Sequence, residues 1–269
     1  MEAVYFNTKA FEPFYNQLNV TTNSEEAILL VLGAKKPDLS LFPNLKALYR
    51  FGVGSDNVPF FELEKRNIPV FFPSQKAKEV LFESTANFTL YLLLKSFFDR
   101  QLGTISPWVK ADRPFLGEKT LLVVGTGNIG SRVAKKAAPL MNVQSYDVIR
   151  DSADSLKTKI EQADFISLHI PLSQDNQHFI DSEKLSWMKD DAVLINTARG
   201  PLIDEHALKY RMGISQMRLA FDVFWEEPYL GWMTDHEWVG RILLTPHTSS
   251  QTHEFIREGL NDILAIINQ

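Results

Sequence analysis

A chain of 269 residues with 45% hydrophobic and 23% charged side chains has the composition of a globular protein with core enough for one large domain or two modest ones. Its net charge of −5, with acids and bases interspersed, leaves no nucleic-acid footprint, and the lack of cysteine excludes disulfides, thiolate catalysis and thiolate metal sites. No H-x-x-x-H spacing or carboxylate cluster suggests a metal, no apolar run approaches bilayer-spanning length, and the first residues lack the pattern of a secretory signal, so a cytoplasmic protein is expected.

Val4 to Phe6 reads as a short strand, and Ala27 to Leu32 (AILLVL) is an unbroken apolar run ending at Gly33, the pattern of a parallel strand buried on both faces. Leu45 to Arg50 predicts a third strand, which runs into Phe51-Gly52-Val53-Gly54-Ser55-Asp56-Asn57. Ile68 to Phe72 predicts a fourth, closed by Pro73. Strands alternating with helices imply a small parallel sheet in this part of the chain. Ser74 to Lys78 reads as a loop, after which Thr85 to Phe98 (TANFTLYLLLKSFF) is apolar nearly all round and predicts a buried helix. Asp99 to Lys119, polar and interrupted by Gly103, Pro107, Pro114 and Gly117, is the expected linker into a second domain.

The second domain is organised around Leu121 to Gly130 (LLVVGTGNIG). Four apolar residues run into Gly125-Thr126-Gly127-Asn128-Ile129-Gly130, and Ser131 to Ala138 has the composition of a helix, so the stretch reads as strand, glycine turn, helix. In that context each glycine has a purpose. Gly125 permits the sharp turn, Gly127 lets the backbone approach a pyrophosphate, and Gly130 lets helix and strand pack closely. The phosphates would meet the N–H groups of the helix start, at Asn128 and Ile129, on the positive end of the helix dipole. Met141 to Tyr146 predicts the next strand, leading to Asp147, seventeen residues beyond Gly130. A carboxylate there can accept hydrogen bonds from both ribose hydroxyls and repel a 2′-phosphate, so NAD is favoured over NADP, with Arg150 acting slightly against that preference.

Further strands are predicted within Ile160 to Asp164, Phe165 to Pro171, Ala192 to Asn196, Leu219 to Phe224 and Arg241 to His247, each ending in polar residues or proline. In a doubly wound sheet ligands bind outside the carboxyl ends of the strands, so Thr197-Ala198-Arg199-Gly200, Asp222 and His247 should gather around the dinucleotide. Of the six histidines, His178, His206, His236 and His253 fall in polar stretches and are expected in solvent. His169 closes a strand and is expected to be a structural or cofactor-cleft residue. His247 stands apart, because Thr245-Pro246-His247-Thr248 follows an apolar strand and an imidazole can give and take a proton near neutral pH. The aromatic stretch Trp225 to Trp238, containing Tyr229, Trp232 and Met233, reads either as core or, in part, as a wall or lid over a substrate.

Six motifs then occur in order: LKALYRFGVGSDN (Leu45 to Asn57), GTGNIG (Gly125 to Gly130), ADFISLHIPL (Ala163 to Leu172), MKDDAVLINTARGPLIDEHAL (Met188 to Leu208), FDVFWEEP (Phe221 to Pro228) and LLTPHTSSQT (Leu243 to Thr252). With them the chain resembles the D-isomer-specific 2-hydroxyacid dehydrogenases from about Leu45 onward. The resemblance implies an α/β protein of two domains. Residues 99–250 would form a Rossmann-type doubly wound parallel sheet that binds NAD, and residues 1–98 a smaller flavodoxin-like α/β substrate domain, to which a C-terminal helix at 251–269 returns. It further implies that Arg199 pairs with the substrate carboxylate and polarises the 2-oxo group, that His247 protonates the carbonyl oxygen as hydride arrives, and that Glu227, directly before Pro228, is the partner of His247 in preference to Glu226. Val53 and Gly54 would meet the substrate carboxylate through their N–H groups, Asp222 would lie near the nicotinamide amide, and Pro171, Thr197 and Ala198 would line the cofactor cleft.

Such a trio also makes chemical sense by itself. A carboxylate beside an imidazole favours its protonated form, and an arginine places fixed positive charge where an oxygen becomes negative. The implied activity is interconversion of a small 2-oxo acid and a D-2-hydroxy acid with NAD(H), by a homodimer. A second reading keeps the fold but makes the protein an NAD(H)-sensing, corepressor-like binding protein with little turnover. The complete trio argues against a purely binding role. Three local features depart from the relatives: Asn87 where many carry a glutamate, a short stretch between Asp147 and Ala163 where they have a further helix and strand, and Lys76 and Lys78. Those lysines, with Arg50, either meet a phosphorylated or dicarboxylic substrate or are solvated charges.

Overall fold

The computed structural model describes residues 3–99, 107–110 and 112–268; part of the expected linker, residues 100–106 and 111, lies outside the described residues. In chain order the first elements are β1 (Val4–Phe6), β2 (Leu29–Leu32), β3 (Ala47–Arg50), α1 (Phe60–Lys65), β4 (Val70–Phe71) and α2 (Gln75–Phe98). There follow β5 (Thr120–Val124), α3 (Asn128–Ala137), β6 (Asn142–Tyr146), α4 (Ala153–Gln162), β7 (Phe165–Leu168) and α5 (Ser182–Trp187). The last are β8 (Val193–Asn196), α6 (Glu205–Ile214), β9 (Arg218–Phe221), β10 (Ile242–Leu244) and α7 (His253–Ile267). The chain divides into two units, residues 1–81 with 250–269, and residues 82–249. The first division falls inside α2, earlier than the sequence suggests, because from Ala86 onward that helix shares a buried cluster with the second sheet. Among the described residues no helix is long and apolar enough to cross a membrane, and no group of side chains could hold a metal ion.

In the first unit β1 to β4 form a parallel sheet in the order β1-β2-β3-β4. A single parallel bridge between Val4 and Val20 lies beyond β1, where the Val4 N–H donates to Asn19 O at 2.9 Å and the Thr21 N–H to Val4 O at 3.0 Å. Counting that bridge as a rudimentary strand gives the order 2-1-3-4-5, the flavodoxin-like arrangement. Every residue of β2 is buried, as its unbroken apolar run requires, and Leu30 and Leu32 join Leu39, Phe42, Leu48 and Leu63 in one cluster. Thr252 caps α7 by accepting the Phe255 N–H at 3.2 Å, and the helix docks through Phe255, whose ring stacks on Phe51 with centroids 4.4 Å apart. Gly259 permits this approach, since a Cβ there would lie 2.7 Å from the Phe51 ring.

The expected loop at Ser74 to Lys78 is instead the start of α2. Ser74 Oγ accepts the Ala77 N–H at 3.3 Å and Ser74 O the Lys78 N–H at 2.9 Å, as a serine cap before helix formers favours. Lys76 is engaged there with the buried Glu258 carboxylate at 2.8 Å. Arg50 is also committed within the unit: its guanidinium donates to the carbonyls of Phe51 at 2.7 Å, Gly54 at 2.8 Å and Gly33 at 3.1 Å. Arg50 therefore braces the Phe51–Gly54 turn, where Gly52 holds a φ of +144°.

In the second unit six parallel strands lie in the order β10-β9-β8-β7-β5-β6. The chain steps from β5 outward to β6 and returns through α4 to β7 on the other side of β5, which makes the β5/β7 boundary the topological switch point. Alternation along β5 explains the run LLVV. Leu121 and Val123 join Val133 and Ala137 of α3 and Leu92, Leu93 and Phe97 of α2 on one face. Leu122 and Val124 join Leu156 and Ile160 of α4 and Leu208 and Met212 of α6 on the other. The short connection after Asp147 holds α4 alone, capped by Ser152; the strand expected within Ile160 to Asp164 is instead the end of this helix, where Ile160 is one of the apolar residues at helical spacing, and this Rossmann-type sheet has one strand fewer beyond β6 than the 3-2-1-4-5-6 order.

Candidate active site

The loops that follow β8, β9 and β10 leave neighbouring strands at their carboxyl ends, and carry Arg199, Asp222 with Glu227, and His247 respectively. Asn196, the last residue of β8 and fully buried, shapes the first loop from both sides: its Nδ2 donates to Arg199 O at 2.8 Å and its Oδ1 accepts the Ala198 N–H at 3.0 Å. Thr197 Oγ1 lies 2.9 Å from Thr89 Oγ1, which itself donates to Thr85 O at 2.8 Å, so α2 steadies the same loop. A Cβ at Gly200 would lie 2.0 Å from the Phe224 carbonyl carbon, so only glycine lets this loop meet the next one.

His247 sits in the left-handed region, at φ +51°, uncommon for a non-glycine residue. The buried Asp222 carboxylate holds the chain on both sides of it, accepting Thr245 Oγ1 at 2.6 Å and the N–H groups of Thr248 and Ser249 at 2.9 Å each. Asp222, expected at the nicotinamide amide, thus has both oxygens engaged in fixing the histidine loop. His247 Nδ1 lies 2.8 Å from Glu227 Oε2, while Glu227 Oε1 accepts the Phe224 N–H at 3.2 Å. Burial works to raise the Glu227 carboxyl, but the hydrogen bond and charge of His247, the Phe224 N–H and the charge of Arg199 outweigh it and hold it below the ordinary carboxylate range. Glu227 is therefore the acid that meets the histidine, whereas Glu226 is exposed.

The remaining histidines separate cleanly. His178, His206, His236 and His253 are exposed, as their polar surroundings predict. His169 has Nε2 at 2.8 Å from Ser167 Oγ, and burial pushes its imidazole down to about 3. It stands where β7 meets the glycine turn.

At that turn Gly125 has φ +93°, and a Cβ on it would lie 2.7 Å from the His169 carbonyl carbon. A Cβ on Gly130 would come within 1.9 Å of Gly125 O, so these two glycines close the packing of strand, turn and helix. Gly127 differs, because a Cβ there would meet nothing within 4 Å. It caps α3 without a side-chain hydrogen bond, whereas α4, α5, α6 and α7 are each capped by Ser, Asp or Thr. An open backbone at a helix start lacking a side-chain cap suits a pyrophosphate. Asp147 Oδ2 accepts Thr126 Oγ1 at 2.6 Å, and this hydrogen bond, with the Ile149 N–H and the nearby Arg150 charge, lowers its carboxyl below the ordinary range. The residues present fit a dinucleotide with a free ribose 2′-hydroxyl.

A cavity of about 480 Å³ adjoins the histidine pair, with Glu227 and His247 in its wall beside Phe224, Pro228, Tyr229, Leu244 and Pro246. The aromatic stretch at 225–238 is therefore divided: Met233 and Trp238 belong to the core, while Tyr229 faces the cavity. Asn196, Thr89, Thr126 and Thr245 were not marked by the sequence reading. For Asn196, Thr126 and Thr245 the visible signal is position, since polar residues at the end of an apolar strand have few other places to put their hydrogen bonds; Thr89, inside α2, carried none.

Residues 105–249 match the family described as D-isomer-specific 2-hydroxyacid dehydrogenase, NAD-binding domain. The chain is 33% identical to a glyoxylate reductase of Thermococcus litoralis over 88% of its own length and 78% of the relative's. It is 33% identical to a hydroxypyruvate reductase of Thermotoga maritima over 86% of its length and 80% of the relative's. The crystal structure of a D-lactate dehydrogenase from Aquifex aeolicus, complexed with NAD and lactic acid, superposes with a TM-score of 0.80 at 25% identity, covering 99% of this chain and 94% of that one. The chain belongs to the D-isomer-specific 2-hydroxyacid dehydrogenase family, of NAD-dependent oxidoreductases.

Proposed function

We propose that the chain interconverts a 2-oxo acid and a D-2-hydroxy acid, with His247 as the general acid of reduction and the general base of oxidation. The 2.8 Å contact between His247 Nδ1 and Glu227 Oε2 carries this reading. A carboxylate at Nδ1 accepts the proton on that nitrogen, fixes the ring, and leaves Nε2 to exchange a proton with the substrate oxygen. It also favours the imidazolium that reduction consumes. Arg199 is assigned to the substrate, its planar fork pairing with a carboxylate and its charge stabilising the developing alkoxide.

Bound NAD(H) supplies or accepts the hydride at the substrate's C2. Gly125, Gly127, Asn128, Ile129 and Gly130 are assigned to the pyrophosphate, Asp147 to the ribose, and Pro171, Thr197 and Ala198 to the remainder of the cofactor edge, which Asp222 shapes through the loop it holds. The N–H groups of Val53 and Gly54, on the turn braced by Arg50, are our candidates for binding a carboxylate. We expect a homodimer from the family resemblance, checked by light scattering on the purified protein, and a cytoplasmic location from the cysteine-free composition.

NADH oxidation by the purified protein with glyoxylate, hydroxypyruvate, pyruvate, 2-oxoglutarate, phenylpyruvate and 3-phosphohydroxypyruvate tests the activity. Turnover of any of them, lost in His247→Asn, is the expected result. NADH binding without turnover of any 2-oxo acid would overturn it.

A further inference from the structure

We propose that Arg50, seconded by Asn57, is a positioning residue for the carboxylate of the 2-oxo acid. It holds the Phe51–Gly54 turn so that the N–H groups of Val53 and Gly54 stay available to an anion, and so sets the affinity for the substrate. This rests on the reading above that a 2-oxo acid is the substrate. Arg50 ends β3, is 6% exposed, and acts through the turn. A buried guanidinium demands acceptors, and the main-chain carbonyls around it supply them.

The side chain grips the turn at both ends. Its Nη1 donates to Phe51 O at 2.7 Å and its Nε to Gly54 O at 2.8 Å, so the peptide units carrying the Val53 and Gly54 N–H groups lie between two anchored carbonyls. The same Nη1 reaches Gly33 O at 3.1 Å and Leu32 O at 3.3 Å, which ties the turn to the carboxyl end of β2. Asn57, also buried, makes the second tie by donating to Gly33 O at 2.8 Å and Ala34 O at 2.9 Å. Gly52 fits over the guanidinium: a Cβ there would lie 3.0 Å from Arg50 Nη1, at a φ that favours glycine.

With the carbonyls so engaged, the turn has donors left over. The Phe51 N–H donates to Leu32 O and the Gly52 N–H to Arg50 O, each at 3.0 Å, whereas the N–H groups of Val53 and Gly54 meet no acceptor among the described residues. Successive main-chain N–H groups of this kind make an anion-binding concavity. A turn containing two glycines would lose much conformational entropy on closing around an anion, and a turn already held in place loses little.

Arg50→Lys separates geometry from charge, because one ammonium cannot reproduce a planar fork that reaches carbonyls on several sides. In that variant KM for the best 2-oxo acid should rise about 10- to 100-fold, with kcat lowered by less than about threefold and Kd for NADH within about twofold of the native value. A lower melting temperature with KM unchanged would reduce Arg50 to a structural role and overturn the proposal. A second measurement needs no turnover. Oxamate, a 2-oxo acid analogue that is not reduced, is titrated into the NADH complex of protein labelled with ¹⁵N in valine and glycine. The Val53 and Gly54 amide signals should shift, with a Kd about tenfold or more weaker in Arg50→Lys. No shift at these amides in the native protein, or equal Kd in both proteins, would overturn the proposal. If Arg50→Lys does not fold, Asn57→Ser takes its place: Kd for oxamate should weaken about three- to tenfold, and an unchanged Kd overturns the proposal. Failure of the native protein to reduce any 2-oxo acid, with both amides still shifting, would sink the oxidoreductase reading alone.

Discussion

His247 and His169 both stand just beyond the carboxyl end of a parallel strand in one sheet, yet their surroundings give them opposite chemistry. His247 follows β10, is about one-third exposed, and has Nδ1 against an ionised carboxylate at 2.8 Å. His169 follows β7, has the Ser167 hydroxyl 2.8 Å from its Nε2, and desolvation pushes its imidazole down to about 3. One imidazole faces a charged partner; the other packs beneath the glycine turn beside a hydroxyl. Residue type, partial exposure and position at the sheet edge are shared, so the difference lies in the partner, a carboxylate for one and a hydroxyl for the other.

Substituting each histidine in turn gives the largest contrast. His247→Asn should lower kcat by about 10³-fold, within the range that a general acid contributes, while His169→Asn should lower it by less than about tenfold and act mainly on thermal stability. Equal losses of kcat in two folded variants would erase the distinction drawn here. Arg199→Lys comes next. It keeps the charge but loses the planar fork, and kcat/KM should fall by about 10²-fold. Near-normal turnover would remove the guanidinium geometry from the mechanism. Smaller again is Gly127→Ala, whose methyl meets no protein atom within 4 Å. The melting temperature should hardly change while KM for NADH rises about tenfold. Gly130→Ala, with its 1.9 Å conflict against Gly125 O, should instead lose stability.

The sequence made the strands legible because both sheets are parallel and covered on both faces, which forces runs such as AILLVL and LLVV that need no alternation to be recognised. It made the His247, Glu227 and Arg199 loops legible because each follows such a run. Other features depend on contacts that no local pattern encodes. Ser74 carried a cap signal, but the acidic partner of Lys76 on α7 is far away in sequence. Arg50 looked available for an anion until its guanidinium was found on three carbonyls of its own turn region. In α2, apolar on nearly every side, nothing in the composition marks where the helix passes from one unit to the other. Asp222 was assigned from resemblance to a cofactor amide, and only the folded loop reveals its three donors.

Glu227→Gln probes the origin of the contrast most finely, because glutamine keeps the shape and can still accept a hydrogen bond while losing the charge. Reductive kcat/KM should fall by about tenfold in the variant, because the ring keeps a hydrogen-bond acceptor at Nδ1 but loses the charge beside it. Near-normal turnover in the variant would make Glu227 a steric support only. Stability carries the complementary sign. The folded-state carboxyl is held below its unfolded value, so its contribution is complete above the unfolded value of about 4.3 and is lost as pH falls through the lower folded one. The melting temperature of the native protein should exceed that of the variant by about 2–4 °C near neutral pH, for a contribution on the order of 1 kcal/mol, and the two should converge in acid. Convergence as pH rises instead would show that the charge on Glu227 destabilises the fold, and that His247 owes its chemistry to exposure rather than to its partner.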